Sequence, residues 1–315
     1  MATRRIEEVL ERLSALREGP PAEAVPALRK SLADSVNVVV AKAAKIAAER
    51  QLLELIPDLL IAFDRLFQEP AERDPQCWGK NAIAGALRDL EYRESAPFLR
   101  GMRHVQMEPV WGKHEDTAQP LRGICLLALV ACTDIARGEV LRCLVEALTE
   151  PEAVVRAEAV RGLAEMEGDE AALLLRMKAR LGDEEPQIVG QVFDALWKLE
   201  GEAALLFVGS FLESGRDEIR EEAALALGAS RFAAAVALLR NACAGSRDLR
   251  FREVLFRALS LSRRPEAWEF LRSILKTGRR TDAKAVLEAL ELHRENPEIQ
   301  RLIEEFTAER HGISE

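Results

Sequence analysis

The hydrophobic positions of this chain recur in short stretches that end in a small residue followed by leucine. Within each stretch the apolar residues are spaced three and four apart, which is the period of one face of an α-helix. The stretches are VAKAAKIAA (40–48, the weakest, which lacks the leucine), GKNAIAGAL (79–87), LRGICLLAL (121–129), VRAEAVRGL (155–163), IVGQVFDAL (188–196), IREEAALAL (219–227), FREVLFRAL (251–259) and DAKAVLEAL (282–290). The last six closing leucines are 31 to 34 residues apart, so the chain contains an internal repeat.

A second amphipathic stretch lies between each pair of these lines, and Pro and Gly fall in the connections between them. Each repeat is therefore predicted to be helix, turn, helix. One helix pair of this length cannot bury its apolar stripe, whereas stacked pairs can. The sequence predicts an all-α protein, a right-handed α-solenoid of about eight helix pairs spanning 22–295, with helical caps at 1–19 and 296–315.

The repeats resemble HEAT repeats through their length and through the Val/Ile-Arg-x-x-Ala start of the second helix, as in VRAEA and IREEA. The short bacterial form, known as PBS-lyase-type HEAT-like repeats, is the most similar. The resemblance implies one repeat array over residues 1–315. It also implies that the arginines at one repeat position tie neighbouring repeats together, and these are Arg122, Arg156, Arg220 and Arg252. Val189 and Ala283 interrupt this ladder.

Two successive repeats are longer than the others. The ladder positions are 39 residues apart from Ala48 to Leu87 and 42 apart from Leu87 to Leu129. The extra residues form two inserts at 67–80 and 104–120. Equivalent loops of a solenoid emerge at the same edge of the stack, so the two inserts are expected to lie side by side.

The second insert is chemically unlike the rest of the chain. Its prolines and Gly112 predict an ordered, compact loop, with Asp116 or Thr117 as the N-cap of the helix that follows and Trp111 packed over it. Long loops on rigid scaffolds often carry binding residues. The candidates here are Lys80, His104, Glu108, Trp111 and Asp116. A cover over an enlarged repeat is the alternative interpretation.

Neither insert matches a known catalytic or metal-binding pattern. A metal site would need His104 and His114 to converge with Glu108 or Asp116, and their spacing fits no familiar site. Cys77 would need its thiolate stabilised by Lys80 to act as a nucleophile, and a packed thiol is the simpler interpretation. The sequence therefore predicts no cofactor and no metal, and it favours a non-enzymatic protein.

Composition narrows the candidate functions further. The 315 residues carry a net charge of −9, which argues against general nucleic-acid binding. No apolar run is long enough for a membrane span and the start lacks a signal peptide. The five cysteines have no paired spacing, which indicates core thiols in a reducing cytoplasm.

One segment departs from the acidic average. Residues 231–280 hold 12 basic and 4 acidic side chains. Charge at helix ends would explain this block, and a phosphate or acidic ligand held by Arg263 and Arg264 beside Trp268 is the alternative.

The favoured hypothesis is a non-enzymatic scaffold or adaptor in a bacterial-type cytoplasm. It would bind a protein partner through the concave face, which second helices form in HEAT arrays, and through the paired inserts. Two alternatives remain open. A phycobilisome-lyase-like enzyme or chaperone would act on a bound protein, and the basic block would bind nucleic acid.

Overall fold

A computed structural model describes residues 2–18, 20–110, 112–291, 293–297, 299–301, 303–304 and 306. The protein is an all-α HEAT-like solenoid with 76% of its residues in helices. It divides into two compact units, residues 1–166 and 167–315. No helix in the described part of the chain is both long and apolar enough to cross a membrane.

The first unit contains ten α-helices and one β-hairpin among its described residues. The elements are α1 (Ala2–Ala15), α2 (Pro21–Leu32), α3 (Asn37–Glu49), α4 (Ile56–Leu66), α5 (Pro70–Arg73), α6 (Trp78–Asp89), α7 (Ala96–Met102), β1 (Met107–Val110), β2 (Lys113–Asp116), α8 (Gln119–Val130), α9 (Arg137–Ala147) and α10 (Ala153–Met166). Short 3₁₀ turns lie at Leu53–Leu55 and Pro75–Cys77. Helices α3, α6, α8 and α10 pack in succession, and α2, α4, α7 and α9 each pack on one of them.

The second unit repeats this arrangement with eight α-helices in its described residues. They are α11 (Asp169–Leu181), α12 (Pro186–Glu200), α13 (Leu205–Gly209), α14 (Asp217–Ser230), α15 (Ala233–Gly245), α16 (Leu249–Leu261), α17 (Pro265–Thr277) and α18 (Arg280–Glu291), with 3₁₀ turns at Gly201–Ala204 and Ser210–Glu213. Helices α12, α14, α16 and α18 pack in succession.

All eight lines of the sequence repeat lie inside a helix, namely α3, α6, α8, α10, α12, α14, α16 and α18. The leucines that close the last seven lines are completely buried. Each leucine therefore anchors its helix in the core between helix layers, which explains why the chain repeats this position so strictly.

The arginines of the ladder bind acidic and carbonyl partners, as the resemblance implies. Arg220 reaches Asp248 of the next helix pair at 3.1 Å. Arg252 makes a two-point contact with Asp282, at 3.0 and 2.9 Å, and also donates to the carbonyl of Cys243. Arg156 instead donates to two carbonyls of the preceding turn, those of residues 150 and 151. The contacts of Arg220 and Arg252 with aspartates link successive helix pairs. The contacts with backbone carbonyls satisfy acceptors at helix ends and turns.

The second insert differs from the expected loop in two ways. It forms an antiparallel hairpin in which Met107 pairs with Asp116 and Val110 with Lys113. The N-cap of α8 is Ala118, so the expectation of a cap at Asp116 or Thr117 was wrong. Thr117 donates its hydroxyl to Glu108, and Asp116 accepts from the backbone N–H of Gln106 and from that of Ala118, so neither side chain reaches the N–H groups of the first turn of α8.

Candidate functional site

The two inserts lie against each other and share a buried polar network, the insert network, which is centred on Asp74, Lys80, Gln106 and Glu108. Asp74 is completely buried in the first insert. Its carboxylate accepts hydrogen bonds from the backbone N–H groups of Gly79 and Lys80, at 2.7 and 2.9 Å. The carboxylate therefore caps the start of α6 and faces the positive end of that helix.

Lys80 is also completely buried, in the first turn of α6. Its ammonium lies 3.1 Å from the Asp74 carboxylate. It donates to the Leu66 carbonyl at 3.2 Å and to Gln106 Oε1 at 2.9 Å. The three partners use the three donors of the ammonium, which is the condition for keeping a lysine charge inside a protein.

Gln106 connects the two inserts. Its side-chain N–H group donates to the Asp74 carbonyl at 2.9 Å and to the Glu108 carboxylate. Glu108 then accepts from the backbone N–H of Gln76 at 2.9 Å and from the Thr117 hydroxyl at 2.8 Å. The Gln106 amide thus hydrogen-bonds groups at both ends of the network, and this holds the hairpin in a single position against the first insert.

The backbone of the first insert is strained where Glu108 holds it. Gln76 and Cys77 are consecutive non-glycine residues with left-handed φ values of 61° and 53°. Such conformations cost on the order of 1–3 kcal/mol each and persist only where surrounding contacts enforce them. The double contact of Glu108 with the backbone and side chain of Gln76 supplies that enforcement.

Asp116 and His104 close the other side of the network. Asp116 accepts from the backbone N–H of Gln106 at 3.0 Å and forms an ion pair with Arg122 of α8. His104 bonds Gln106 Oε1 at 3.1 Å and packs edge-on against Phe67, with ring centroids 4.8 Å apart. Arg122 also donates to the His104 carbonyl, so the first arginine of the ladder fixes the hairpin to the repeat array.

Hydrogen bonding sets the protonation of these groups. Burial alone would raise the pKa values of Glu108 and Asp116. At Glu108, hydrogen bonds from Gln106, Thr117 and Gln76 outweigh burial and lower the pKa. At Asp116, hydrogen bonds from Gln106, Arg122 and Ala118 have the same effect. Burial also lowers the pKa of His104. All three groups therefore bind protons less readily in the folded state than in the unfolded state.

We expect acid to loosen the hairpin. Lowered pKa values mean that these groups stabilise the fold fully above their ordinary values, 4.5 for Glu108, 3.8 for Asp116 and 6.5 for His104. That contribution is lost as the pH falls through the lowered folded values. Urea unfolding between pH 7 and pH 3 should show a smaller loss of stability for Glu108→Gln than for wild type.

Glu115 provides the matched control for this pH experiment. It lies directly opposite Glu108 in the hairpin register and is exposed. Glu115→Gln should keep the wild-type pH profile. An identical pH slope for wild type and Glu108→Gln would show that the buried carboxylate does not sense acid.

The structure brings four of the five insert candidates together, and Trp111 lies outside the described residues. Lys80, His104, Glu108 and Asp116 all bind groups of the protein itself. The exposed residues of the second insert include Val105, Met107 and His114.

The structure brings two candidates of the basic block, Arg263 and Trp268, to one cavity, whereas Arg264 is not among the residues that line it. Arg264 lies 3.6 Å from Glu266 in an exposed ion pair. Arg263, in a left-handed conformation with φ of 51°, lines a cavity of about 460 Å³ together with Trp268 and His293. Trp268 packs edge-on against His293, with 5.4 Å between ring centroids.

The first unit has an open groove along α3 and α6, the α3–α6 groove. It consists of two adjoining cavities of about 580 and 440 Å³ that share Lys45, Asn81 and Ala82. Alanines of both helices and Gly85 form its floor. Nothing lies within 4 Å of where a Cβ on Gly85 would stand, so the floor is open to an occupant.

The two helices run in the same direction along the groove. Asn37 at the start of α3 donates to Asp74 and to the carbonyl of Pro75, just before α6. Gln51, after α3, donates to the carbonyl of Asp89 at the end of α6. The groove therefore has one end near Trp78, next to the inserts, and the other near Glu49 and Asp89.

Charge and exposure distinguish the two ends. Trp78 is 55% exposed. Lys42 and Lys45 form no ion pair with any residue that the structure describes. At the opposite end, Glu49 pairs with Arg17 at 2.8 Å and Asp89 with Arg88 at 3.2 Å. The groove is thus positively charged next to an exposed indole.

The residues of this groove carry only a weak signal in the sequence. Lys42 and Lys45 are three apart in the Ala-rich line of the first repeat, on a single helical face. That spacing could have indicated a shared surface, but lysines are common on the exposed face of any amphipathic helix and do not by themselves indicate a binding site. Only the packing of α3 beside α6 brings Trp78 and Asn81 into the same groove.

Burial and spacing in the fold decide the reactivity of Cys77 of the first insert and of the potential metal ligands among the described residues, and burial dominates at Cys77. Burial raises the pKa of the Cys77 thiol to about 11 although Lys80 is near it. In the described part of the chain, no group of three His, Cys, Asp or Glu residues could hold a metal ion.

The repeat geometry agrees with one family comparison. Residues 205–291 match the family model described as HEAT repeats. These residues are similar to HEAT repeats. The matched segment of HEAT repeats runs from α13 to the end of α18, where the ladder is most regular.

Solved structures resemble the chain more distantly. Human deoxyhypusine hydroxylase, in complex with glycerol, is 22% identical, over 79% of this chain and 88% of its own, with a TM-score of 0.31. An engineered protein is 16% identical, over 95% of this chain and 87% of its own, with a TM-score of 0.36. The comparison with curated proteins gives no match. Similarity at these levels has no implication for function.

Proposed function

We propose that the protein is a non-enzymatic scaffold that binds a protein partner along the second helices of its first unit, beside the hairpin. The observation that supports this most strongly is the α3–α6 groove, which combines an open floor, two lysines without ion-pair partners and an exposed tryptophan. Exposed tryptophan is enriched at protein-binding surfaces, and unpaired positive charge beside it favours a partner of complementary charge. We also assign the repeats to the short, PBS-lyase-type form, because of their 31–34 residue spacing.

In this proposal the inserts position the partner and do not react with it. The insert network satisfies Asp74 and Lys80 internally, and it attaches the hairpin at Gln76, two residues before Trp78. The hairpin therefore stands at the Trp78 end of the groove.

Site-specific photo-cross-linking tests the scaffold. A photo-reactive amino acid replaces exposed Asp89 at the rim of the groove, and the control carries it at exposed Arg142 on α9. We expect a specific protein from the source cells to cross-link at position 89 and not at 142. Purified by itself, that protein should bind wild type with a measurable Kd and bind Lys42→Glu/Lys45→Glu at least about tenfold more weakly. Equal cross-linking at both positions, or none, would contradict the proposal.

A further inference from the structure

We infer that the α3–α6 groove binds an extended acidic peptide segment of the partner, with main-chain pairing to Asn81, acidic side chains on Lys42 and Lys45, and an apolar residue on Trp78. The inference rests on the proposed function and specifies the chemistry of the partner. It depends on three features of the groove, which are its charge, an unsatisfied polar atom and its dimensions.

Charge complementarity selects an acidic occupant. Lys42 and Lys45 have no acidic partner in the described structure, whereas the carboxylates of Glu49 and Asp89 at the far end are already paired. An incoming carboxylate would meet two free ammonium groups without competing with an existing ion pair. A basic segment would meet those same ammonium groups and be repelled.

An unsatisfied atom selects an extended main chain over a helix. The Oδ1 atom of Asn81 is buried and has no hydrogen-bond partner in the structure. Buried polar atoms of folded proteins are nearly always paired, so this acceptor indicates that an occupant brings a donor. A helix uses its own N–H groups internally after the first turn, but an extended chain offers one at alternate positions on each edge.

The dimensions of the groove agree with a short extended segment. Lys42 and Lys45 are three residues apart on α3, an axial rise of about 4.5 Å. Side chains on one face of an extended peptide are about 6.8 Å apart. The flexible lysine stems readily cover the difference, so acids at alternate peptide positions can meet both. The small side chains of Ala41 and Ala82, together with Gly85, leave room for the peptide main chain.

Peptide libraries test the inference directly. The probe is a set of acetylated, amidated heptapeptides with Asp at positions two and four and mixed residues elsewhere, passed over the immobilised full chain. The comparison set has Lys at those two positions. We expect the acidic set to be retained at least about tenfold better, with enrichment of apolar residues at one further position. Equal retention of both sets would overturn the inference.

Variants assign the binding to the groove. Lys42→Glu/Lys45→Glu and Trp78→Ala should each lower retention of the acidic set about tenfold or more. The charge-matched control Lys198→Glu/Lys276→Glu changes two exposed lysines of the second unit and should retain the set as wild type does. A Cβ atom at position 85 meets nothing within 4 Å, so Gly85→Gln should place its side chain over the floor and abolish retention in a chain that still folds. Retention by Gly85→Gln equal to wild type would place the peptide elsewhere and refute the inference.

Main-chain methylation isolates the role of Asn81. An acidic set with an N-methyl group on residue three has lost one main-chain donor. Wild type should retain it severalfold less than the parent set, and Asn81→Ala should show no difference between the two sets. Undiminished binding of every N-methylated set, with the methyl group moved along the peptide, would exclude an extended occupant. Absence of peptide binding while the protein cross-linked at position 89 still binds would refute this inference alone, whereas absence of both would refute the scaffold.

Discussion

Asp74→Ala should lower the free energy of unfolding by about 3–5 kcal/mol, because it leaves the buried Lys80 ammonium without its counter-ion. The remaining partners of Lys80 are the carbonyl oxygens of Leu66 and Gln106, which are neutral. The same substitution removes the carboxylate that caps α6 at Gly79 and Lys80. Thermal unfolding followed by circular dichroism should show a Tm lowered on the order of 10 °C.

A double variant separates charge from capping. In Asp74→Ala/Lys80→Met the uncompensated charge is gone, so we expect part of the lost stability to return although the cap is still missing. Asp64→Ala is the matched control, since Asp64 forms an exposed ion pair with Arg100 at 2.6 Å. It should cost less than about 1 kcal/mol. If Asp74→Ala were as mild as Asp64→Ala, the buried pair would not be what holds the inserts together.

The insert network shows where sequence reasoning succeeds and where it fails. The helices could be predicted because apolar residues repeat with a helical period and close on a leucine in nearly every unit. The contact between the inserts followed from the stacking of equivalent loops. The hairpin could not be predicted, because its strands have four residues each and one contains Pro109. In β1 the charged Glu108 is buried and Met107 is exposed, which is the reverse of what alternating apolar and polar residues would predict.

Lys80 illustrates the same limit for single residues. Lysine is rarely buried, so its position in an insert favoured an exposed contact residue. Its burial depends on partners at 66, 74 and 106, which only the folded chain brings together. Lys42 illustrates the opposite case, since it looked like an ordinary helix surface residue. It becomes part of a candidate site only because α3 packs beside α6.

Packing between second helices leads to the other large effect. Gly228 of α14 lies against α16 so closely that a Cβ atom would stand 2.2 Å from the carbonyl oxygen of Ala258. The obstacle is backbone, so a side-chain rotation cannot relieve it and the two helices must separate. Gly228→Ala should therefore lower the free energy of unfolding by about 1–3 kcal/mol, even though alanine is the better helix former.

Gly85→Ala is the matched control, because Gly85 is also inside a second helix and a Cβ there meets nothing within 4 Å. This substitution should raise the free energy of unfolding by about 0.5–1 kcal/mol, so identical chemical changes in two helices should act in opposite directions. Urea unfolding of both variants measures the difference. If both variants were stabilised, α14 and α16 would have to tolerate a wider separation than the core between them allows. The opposite signs would instead show that the repeat array depends on close backbone contact at Gly228, whereas the α3–α6 groove leaves the floor at Gly85 open to a partner.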